Sequence, residues 1–237
     1  MNANVRDKGN VKDKETNADT YFEEYGPEGS NLIYQAEEAP IDGITAEDLE
    51  ETLQDTKETA AGLDQWAPAD LKMWSKEALV QLAKLMNLIE KSGRWPKQMK
   101  SARAAFLPKE EEDPLEPQSY RVLLMLPAVY RLWAKTRLRH IAPWVDDWRT
   151  EEMFAGVPGR GAADASYHTA LVIENCLLKG EEFTGGAADI YKCFDQIDRT
   201  LLYRILEEAG LPKRILKAYK DFLEGLEVYN TVAGGLG

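Results

Sequence analysis

The first residue whose type and position suggest chemistry is Asp189, the acid that ends the short segment GGAAD. Small apolar residues precede it, which predicts a short strand through Ile190, followed by a helix from about Arg199 to Ala209. A carboxylate at the end of a central strand is held rigidly near backbone carbonyls, so it could ligate a hard cation such as Mg²⁺. The alternative on spacing alone is a surface acid that caps the following turn.

A second candidate is the glycine-rich segment FAGVPGRGAADA, in which Gly159, Arg160 and Gly161 precede a helix. Backbone N–H groups and the helix dipole favour an anion at such a position. A plain loop with one exposed arginine is the alternative. The helix before this segment, AVYRLWAKTRLRHI, is basic, and its cations could contact a nucleic-acid backbone or form a solvated face: Arg131, Lys135, Arg137 and Arg139.

The elements that must position these residues form an α+β pattern, mainly helical with a few antiparallel strands. Helix signals are Thr45 with Asp48, Pro68 in a first turn, and Ser75 as the cap of a helix that Gly93 ends. A strand ending at 107 and the returning segment YRVLLML predict a hairpin, and EVYNTV predicts a final strand. Residues 1–40 are polar and without sustained periodicity, so we expect a largely disordered acidic leader before one domain over 41–237.

Charge is distributed unevenly along the 237 residues, whose net charge is −12. Residues 1–60 hold 5 Lys/Arg and 16 Asp/Glu, whereas residues 72–140 hold 14 Lys/Arg and 7 Asp/Glu, a local balance of +7. The basic region is compatible with phosphate binding. Two cysteines far apart, no secretory signal and no long apolar run predict an intracellular protein, in cytoplasm or nucleus, without a membrane partner.

Four segments resemble motifs of one enzyme family and occur in that family's order. The segment ADIYKCFDQID resembles the first palm motif of reverse transcriptases, in which a strand delivers an acid and an aromatic follows five residues later. The segments AAGLDQW, AAFLPKEEEDPLEPQSYRVLLML and FAGVPGRGAADA resemble the upstream motifs of the non-LTR (LINE-type) retrotransposon enzymes. Each motif is weak alone, but four in order over roughly 60–237 are specific together.

The resemblance implies an RNA-directed DNA polymerase with a right-hand fingers and palm fold, acting on an RNA template, a DNA primer and dNTPs. Asp189 would be one of two aspartates that hold a catalytic Mg²⁺ pair, assisted by the carbonyl of Ile190. Phe194 would lie under the sugar of the incoming nucleotide and exclude a 2′-hydroxyl; packing as a core aromatic is the alternative. Lys109 and Arg121 would reach the triphosphate, as a point charge and as a planar fork.

The same resemblance assigns template phosphate to Arg160 and Gly161, and nucleic-acid backbone contacts to Arg131 and Lys135. The chain departs from the family pattern at Val122 and Leu63, where the family usually has proline. It also lacks the later family segment with paired aspartates that supplies the second metal-binding carboxylate. We therefore expect a truncated fragment, comprising fingers and the first part of the palm, with weak or absent Mg²⁺ binding and no polymerase activity alone.

Three alternatives remain on the sequence. The first is a non-catalytic nucleic-acid-binding module derived from the fingers, whose basic helix follows an RNA–DNA backbone. The second is a group II intron maturase, the nearest rival within the polymerase class. The third is a small helical scaffold without a nucleic-acid role, which predicts no salt-dependent RNA binding and leaves four ordered motifs as coincidence.

Overall fold

The computed structural model describes residues 35–110, 113, 115–116, 119–190, 193–232 and 235–236. The helices of this described part are α1 Ala46–Gln54, α2 Pro68–Lys72, α3 Lys76–Ser92, α4 Ala128–Trp148, α5 Ala162–Lys179, α6 Arg199–Glu208 and α7 Lys213–Glu224. Its strands are β1 Ser101–Pro108, β2 Tyr120–Met125, β3 Glu227–Val232 and β4 Gly235–Leu236. The expectation of a mixed α+β chain is confirmed.

Local signals set the ends of the first helices. Thr45 and Asp48 form a reciprocal capping box at α1, since the Asp48 N–H donates to Thr45 Oγ1 and the Thr45 N–H donates to Asp48 Oδ2. The Ser75 hydroxyl accepts from the Ala78 N–H at the start of α3. Gly93 ends α3 with φ +67°, the left-handed conformation that favours glycine. These boundaries follow from residues within one turn, which is why the sequence predicts them.

The sheet has the strand order β2-β1-β3-β4. β1 and β2 pair antiparallel, with Arg103 opposite Met125 and Leu107 opposite Arg121, so the predicted hairpin is confirmed. The predicted final strand is also present, but β3 lies parallel to β1, with Ala102 opposite Val228. The expectation of antiparallel strands is therefore corrected at this pair. A parallel pair requires a long crossover, which here is the whole chain between β1 and β3.

An aromatic cluster joins the chain after α3 to α4 and α7. Trp95 lies edge-on to Trp133 and Phe222, with ring centroids 5.4 and 5.6 Å apart, and Tyr130 stacks on Phe222. The Trp95 indole N–H donates to the Ala218 carbonyl at 3.0 Å. Large aromatic rings bury much apolar area, and the indole needs a hydrogen-bond acceptor once it is buried. This cluster fixes α4, and with it the cations of that helix.

The described chain divides into two compact units. The first comprises the residues through Ile141 together with those from Arg199 onward, and the second is Ala142–Asp198. The second unit contains α5, the Cys193–Gln196 3₁₀-helix and the irregular segment between them. In the described ranges no helix combines the length and the apolarity needed to cross a bilayer.

Most of the predicted leader, residues 1–34, lies outside the described residues. Its last part is bound to the first unit. The Ala36 N–H donates to the Glu208 carbonyl at 2.9 Å and the Ala39 N–H donates to the Gly210 carbonyl at 2.8 Å. The boundary expected at residue 40 therefore falls after a segment that is already ordered by backbone hydrogen bonds.

Candidate functional site

The hairpin brings Lys109 and Arg121 together. Arg121 lies opposite Leu107, and the Lys109 N–H donates to the Ser119 carbonyl at 2.8 Å, which extends the pairing one step beyond β1. Because side chains alternate along a strand, Lys109 and Arg121 occupy the same face of the hairpin. They are diagonal neighbours, and the Cα atoms of such a pair lie about 7–8 Å apart. Arg121 is exposed and Lys109 is partly exposed. Two cations on one face of a hairpin can contact one polyphosphate.

Asp189 and Ile190 lie in an irregular, exposed segment of the second unit. The predicted strand through Ile190 is wrong, since residues 181–190 contain no strand and Ile190 is 64% exposed. Two physical causes act together. The segment GGAA has poor strand propensity, and a strand requires a hydrogen-bonded neighbour, which the described residues of this unit do not supply.

Phe194 is 90% exposed on the Cys193–Gln196 3₁₀-helix, so the alternative of an aromatic core residue is wrong in this structure. The neighbouring residues 191 and 192 lie outside the described part. An exposed aromatic five residues after Asp189 is compatible with the nucleotide contact that the resemblance implies. That contact stays a prediction.

Arg160 and Gly161 have partners within their own loop and helix. The Arg160 guanidinium donates to the carbonyls of Glu151 at 2.6 Å and Met153 at 3.2 Å. The Gly161 N–H donates to the Asp164 carboxylate at 2.8 Å, so an acid already satisfies this donor at the start of α5. An anion bound at Gly161 would compete with Asp164 for the same N–H. A template phosphate at the Gly161 N–H would therefore displace Asp164.

The four cations of α4 lie in three different environments. Arg131 donates to Thr59 Oγ1 at 2.8 Å, and Lys135 donates to the Asp55 carbonyl at 2.6 Å and to Thr56 Oγ1 at 3.0 Å. Both line a cleft of about 330 Å³ between the 55–59 segment and α4. Arg139 instead pairs with the carboxylates of Glu51 and Asp55 at the surface.

Arg137 corrects the expectation of a uniformly solvated or nucleic-acid-binding helix face. Its side chain is 3% exposed and its Nε donates to Glu90 Oε1 at 2.6 Å, while Nη2 donates to Glu90 Oε2 at 2.8 Å. Arg214 also donates to Glu90, as does the Trp133 indole N–H at 2.8 Å. This arginine holds the fold together and cannot reach a ligand in solution.

Sequence reasoning missed Glu90 and the role of Asp64. Glu90 falls in the apolar stripe of α3, one turn after Met86, and an acid in such a stripe is a signal for a buried pair. Asp64, in the motif AAGLDQW, accepts the Ala128 N–H at 2.9 Å and thereby caps α4. A Cβ on Gly62 would lie 2.9 Å from the Leu126 carbonyl oxygen, so this motif packs directly against the start of α4.

Comparison with models of known protein families finds no match. The chain is 25% identical over 199 residues to the RNA-directed DNA polymerase from mobile element jockey of Drosophila funebris. The similarity covers 82% of this chain but only 22% of that protein, so the chain spans about a fifth of the length of the relative it matches. This supports a distant relationship to a LINE-type reverse transcriptase, as the motif order predicts.

Proposed function

We propose that the chain is part of an RNA-directed DNA polymerase of the non-LTR retrotransposon type and contributes its fingers and the first part of its palm. The observation that carries this proposal is the β1–β2 hairpin, which sets Lys109 and Arg121 on one face. The distant similarity to the jockey polymerase supports the same function.

In this proposal the hairpin cations bind the triphosphate of an incoming dNTP. Arg121 presents a planar guanidinium that can contact two phosphate oxygens at once, and Lys109 supplies a compact charge beside it. In the second unit, the proposal assigns a nucleotide sugar to Phe194 and the nucleic-acid backbone to Arg160 and Gly161. In the first unit, it assigns Arg131 and Lys135 to the nucleic-acid backbone of an RNA template and DNA primer.

The donors available for Mg²⁺ are of the right chemical type but few. The Asp189 carboxylate and the Ile190 carbonyl are oxygen ligands of the kind that Mg²⁺ takes. Among the described residues, no three His, Cys, Asp or Glu side chains gather into a metal-binding group. Nucleotidyl transfer by two metals needs more carboxylate ligands than this. We therefore assign no catalytic step to the described residues by themselves.

Nucleotide binding tests the hairpin. Isothermal titration of dTTP into the intact chain, with Mg²⁺ present, should show binding that weakens by a factor of about 10–150 in Arg121→Gln, because a charge-assisted contact contributes about 1.5–3 kcal/mol. Arg204→Gln is the matched control, since Arg204 pairs with Glu208 on the surface of α6. Equal dTTP affinity in the wild type, Arg121→Gln and Arg204→Gln would remove the role given to the hairpin.

Primer extension tests the catalytic assignment. On an RNA template with a DNA primer, dNTPs and Mg²⁺, we expect no incorporation by this polypeptide alone. Incorporation that is lost in Asp189→Ala, but kept in the exposed Asp147→Ala control, would contradict the proposed inactivity and establish Asp189 as catalytic.

A non-catalytic nucleic-acid-binding module is the second candidate function. The exposed, irregular placement of Asp189 favours it, because a binding module does not need a rigidly held metal ligand. This candidate predicts salt-dependent RNA binding without dTTP binding. A titration with dTTP and a titration with RNA over a range of salt concentrations therefore separate it from the polymerase.

A further inference from the structure

Strand β2 lies at one end of the sheet, where it pairs with β1 on one side. No other described strand covers its second edge. Such an edge presents unpaired backbone N–H and C=O groups to a further strand, and proteins usually protect it with charge, proline or a bulge. The segment VLLM, residues 122–125, contains no charge and no proline, and its register with β1 is continuous. This edge of the sheet is therefore open to another strand.

The hydrogen bonds between β1 and β2 show which residues face the open edge. Lys109 and Ser119 lie opposite each other one step beyond the last register pair, and the Lys109 N–H donates to the Ser119 carbonyl at 2.8 Å. In an antiparallel pair, hydrogen-bonded and non-hydrogen-bonded positions alternate, so the odd-numbered residues of β2 bond to β1. The backbone groups of Val122 and Leu124 therefore point away from β1.

The other side of β1 gives the same alternation. The Glu227 N–H donates to the Lys100 carbonyl at 2.8 Å, so an even-numbered residue at the start of β1 directs its carbonyl to β3. Pro108, which has no N–H, lies opposite Tyr120, in a pair that the alternation leaves without hydrogen bonds. Both observations agree that the even-numbered residues of β2 direct their backbone groups to the open edge.

The side chains of this edge are apolar and exposed on both faces of the sheet. Val122 is 56% exposed, Leu123 is 50% exposed and Leu124 is 47% exposed. Phe106, opposite Val122, adds exposed apolar surface on one face, and Leu107 adds it on the other. A run of exposed apolar residues in a strand calls for a functional reason. Pairing with a further strand would cover these side chains together with the free backbone groups.

The sequence of β2 favours a second copy of the same strand as the occupant. Antiparallel pairing about Leu123 puts Val122 opposite the second copy's Leu124, and Leu123 opposite its own counterpart. The outward N–H and C=O groups of the two copies then meet, because Val122 and Leu124 both belong to the outward set. Each copy uses the same surface about a twofold axis, so the assembly closes at two copies.

The charge of β2 selects this register. Arg121 is the one charged residue of the strand, and pairing about Leu123 places it opposite the second copy's Met125. The two arginines are then four residues apart along the strands, about 13 Å, which exceeds the Debye length of about 8–10 Å in ordinary salt. Pairing about Val122 would instead bring them to diagonal positions about 7–8 Å apart on one face. Repulsion between the arginines therefore disfavours that register.

We propose that β2 is a homodimerisation edge, at which two copies of the chain pair antiparallel about Leu123 and form one continuous sheet. A six-residue strand is about 20 Å long, so the pairing covers less surface than the roughly 1,200 Å² of a typical stable complex. The dimer therefore forms reversibly as the protein concentration rises. No nucleotide or nucleic acid takes part, so the inference does not rest on the proposed function.

Sedimentation velocity of the intact chain, from micromolar to submillimolar concentration, measures the assembly. The wild type should change from monomer to dimer as concentration rises. Val122→Pro should stay monomeric, because proline removes the N–H directed to the open edge and keeps the hydrogen bonds to β1. Leu124→Lys should also stay monomeric, whereas Leu138→Lys, at an exposed leucine of α4, should dimerise like the wild type. Circular dichroism confirms that each variant is folded.

A disulfide tests the register. The two copies of Leu123 would form a non-hydrogen-bonded pair with Cα atoms about 4.5 Å apart, a distance that a disulfide can bridge. The native cysteines are first replaced, as Cys176→Ser and Cys193→Ser. In this background, Leu123→Cys should give a covalent dimer on mild oxidation, and the Leu138→Cys control should not.

Three results would overturn the inference. The first is a wild type that stays monomeric throughout or assembles into species larger than a dimer. The second is a dimer that Val122→Pro and Leu124→Lys leave unchanged, because the open edge would then take no part. The third is a dimer in which Leu123→Cys does not cross-link, since the pairing about Leu123 would then be wrong. Each of these results leaves the dTTP titration, and with it the proposed function, unaffected.

Discussion

Glu90 connects three helices of the first unit through one buried carboxylate. Its side chain is 1% exposed and accepts from Trp133 and Arg137 on α4 and from Arg214 on α7. Arg137 also donates to the Asp42 carbonyl at 2.8 Å and lies 2.8 Å from His140 Nδ1. The position of α4, and of the cleft between α4 and the 55–59 segment, depends on this network.

Replacing Glu90 by glutamine removes the negative charge and keeps the side-chain volume, so no cavity forms. Arg137 then becomes a buried cation without a counter-ion, at a site where its side chain is 3% exposed. Removing one partner of a buried pair costs about 3–5 kcal/mol, because the remaining charge keeps its full desolvation penalty. This is a large part of the 5–15 kcal/mol that stabilises a typical domain.

Urea unfolding followed by circular dichroism measures this loss. The matched control is Glu51→Gln, which removes the same charge from a surface pair with Arg139 and should cost less than about 1 kcal/mol. A double variant, Glu90→Gln with Arg137→Met, should regain most of the stability lost in Glu90→Gln, because the glutamine amide oxygen still accepts from the Trp133 indole N–H. Both buried charges are then gone, and the partly exposed Arg214 can turn to solvent.

The result that would refute this reasoning is a Glu90→Gln loss no larger than that of Glu51→Gln. The charge of Glu90 would then contribute nothing beyond its hydrogen bonds. A double variant less stable than Glu90→Gln would contradict the second step, because it would mean that Arg137 is better accommodated alone than replaced.

Two further changes test local features of the fold. Burial acts to raise the pKa of Asp48, but hydrogen bonds from Thr45 and the nearby His140 outweigh it and hold the pKa below its usual 3.8. The stability that ionised Asp48 contributes is therefore complete above pH 3.8 and is lost as pH falls through its lower folded-state pKa. Asp48→Ala should therefore cost about 1 kcal/mol at pH 7 and less at pH 3, as measured by urea unfolding. Gly210 has φ +86° and lies against the Glu37 carbonyl, so Gly210→Ala should cost about 1–3 kcal/mol in the same assay. Gly93→Ala should cost less, because Gly93 has φ +67° and only the Lys217 side chain near it. A larger cost for Gly93→Ala than for Gly210→Ala would show that the Glu37 segment moves freely.

Features that depend on neighbouring residues could be predicted from the sequence. The caps of α1 and α3 and the left-handed end at Gly93 each require residues within one helical turn. The β1–β2 hairpin follows from two short apolar runs around a turn, so the position of Lys109 and Arg121 on one face could also be predicted. In these places local preference and the final fold agree.

Features that depend on distant partners could not be predicted. Glu90 lies 47 residues before Arg137, and nothing in either local segment specifies that pair. The parallel pairing of β1 with β3 joins residues more than a hundred positions apart. The same dependence explains the wrong strand at Ile190: its local sequence is apolar enough to suggest a strand, but strand structure is made by the neighbour that pairs with it.

Helix α4 shows why a count of basic residues says little about binding. Arg137 pairs with Glu90 in the core, and Arg139 pairs with two carboxylates on the surface. Arg131 and Lys135 face a common cleft, where Lys135 is held by the 55–59 segment and Arg131 retains one unpaired edge. Arginines within three turns of one helix thus lie in a buried ion pair, in a surface ion pair and beside a cleft. The informative quantity is the number of guanidinium donors that have no acceptor and are open to solvent, because only those donors can bind an incoming anion.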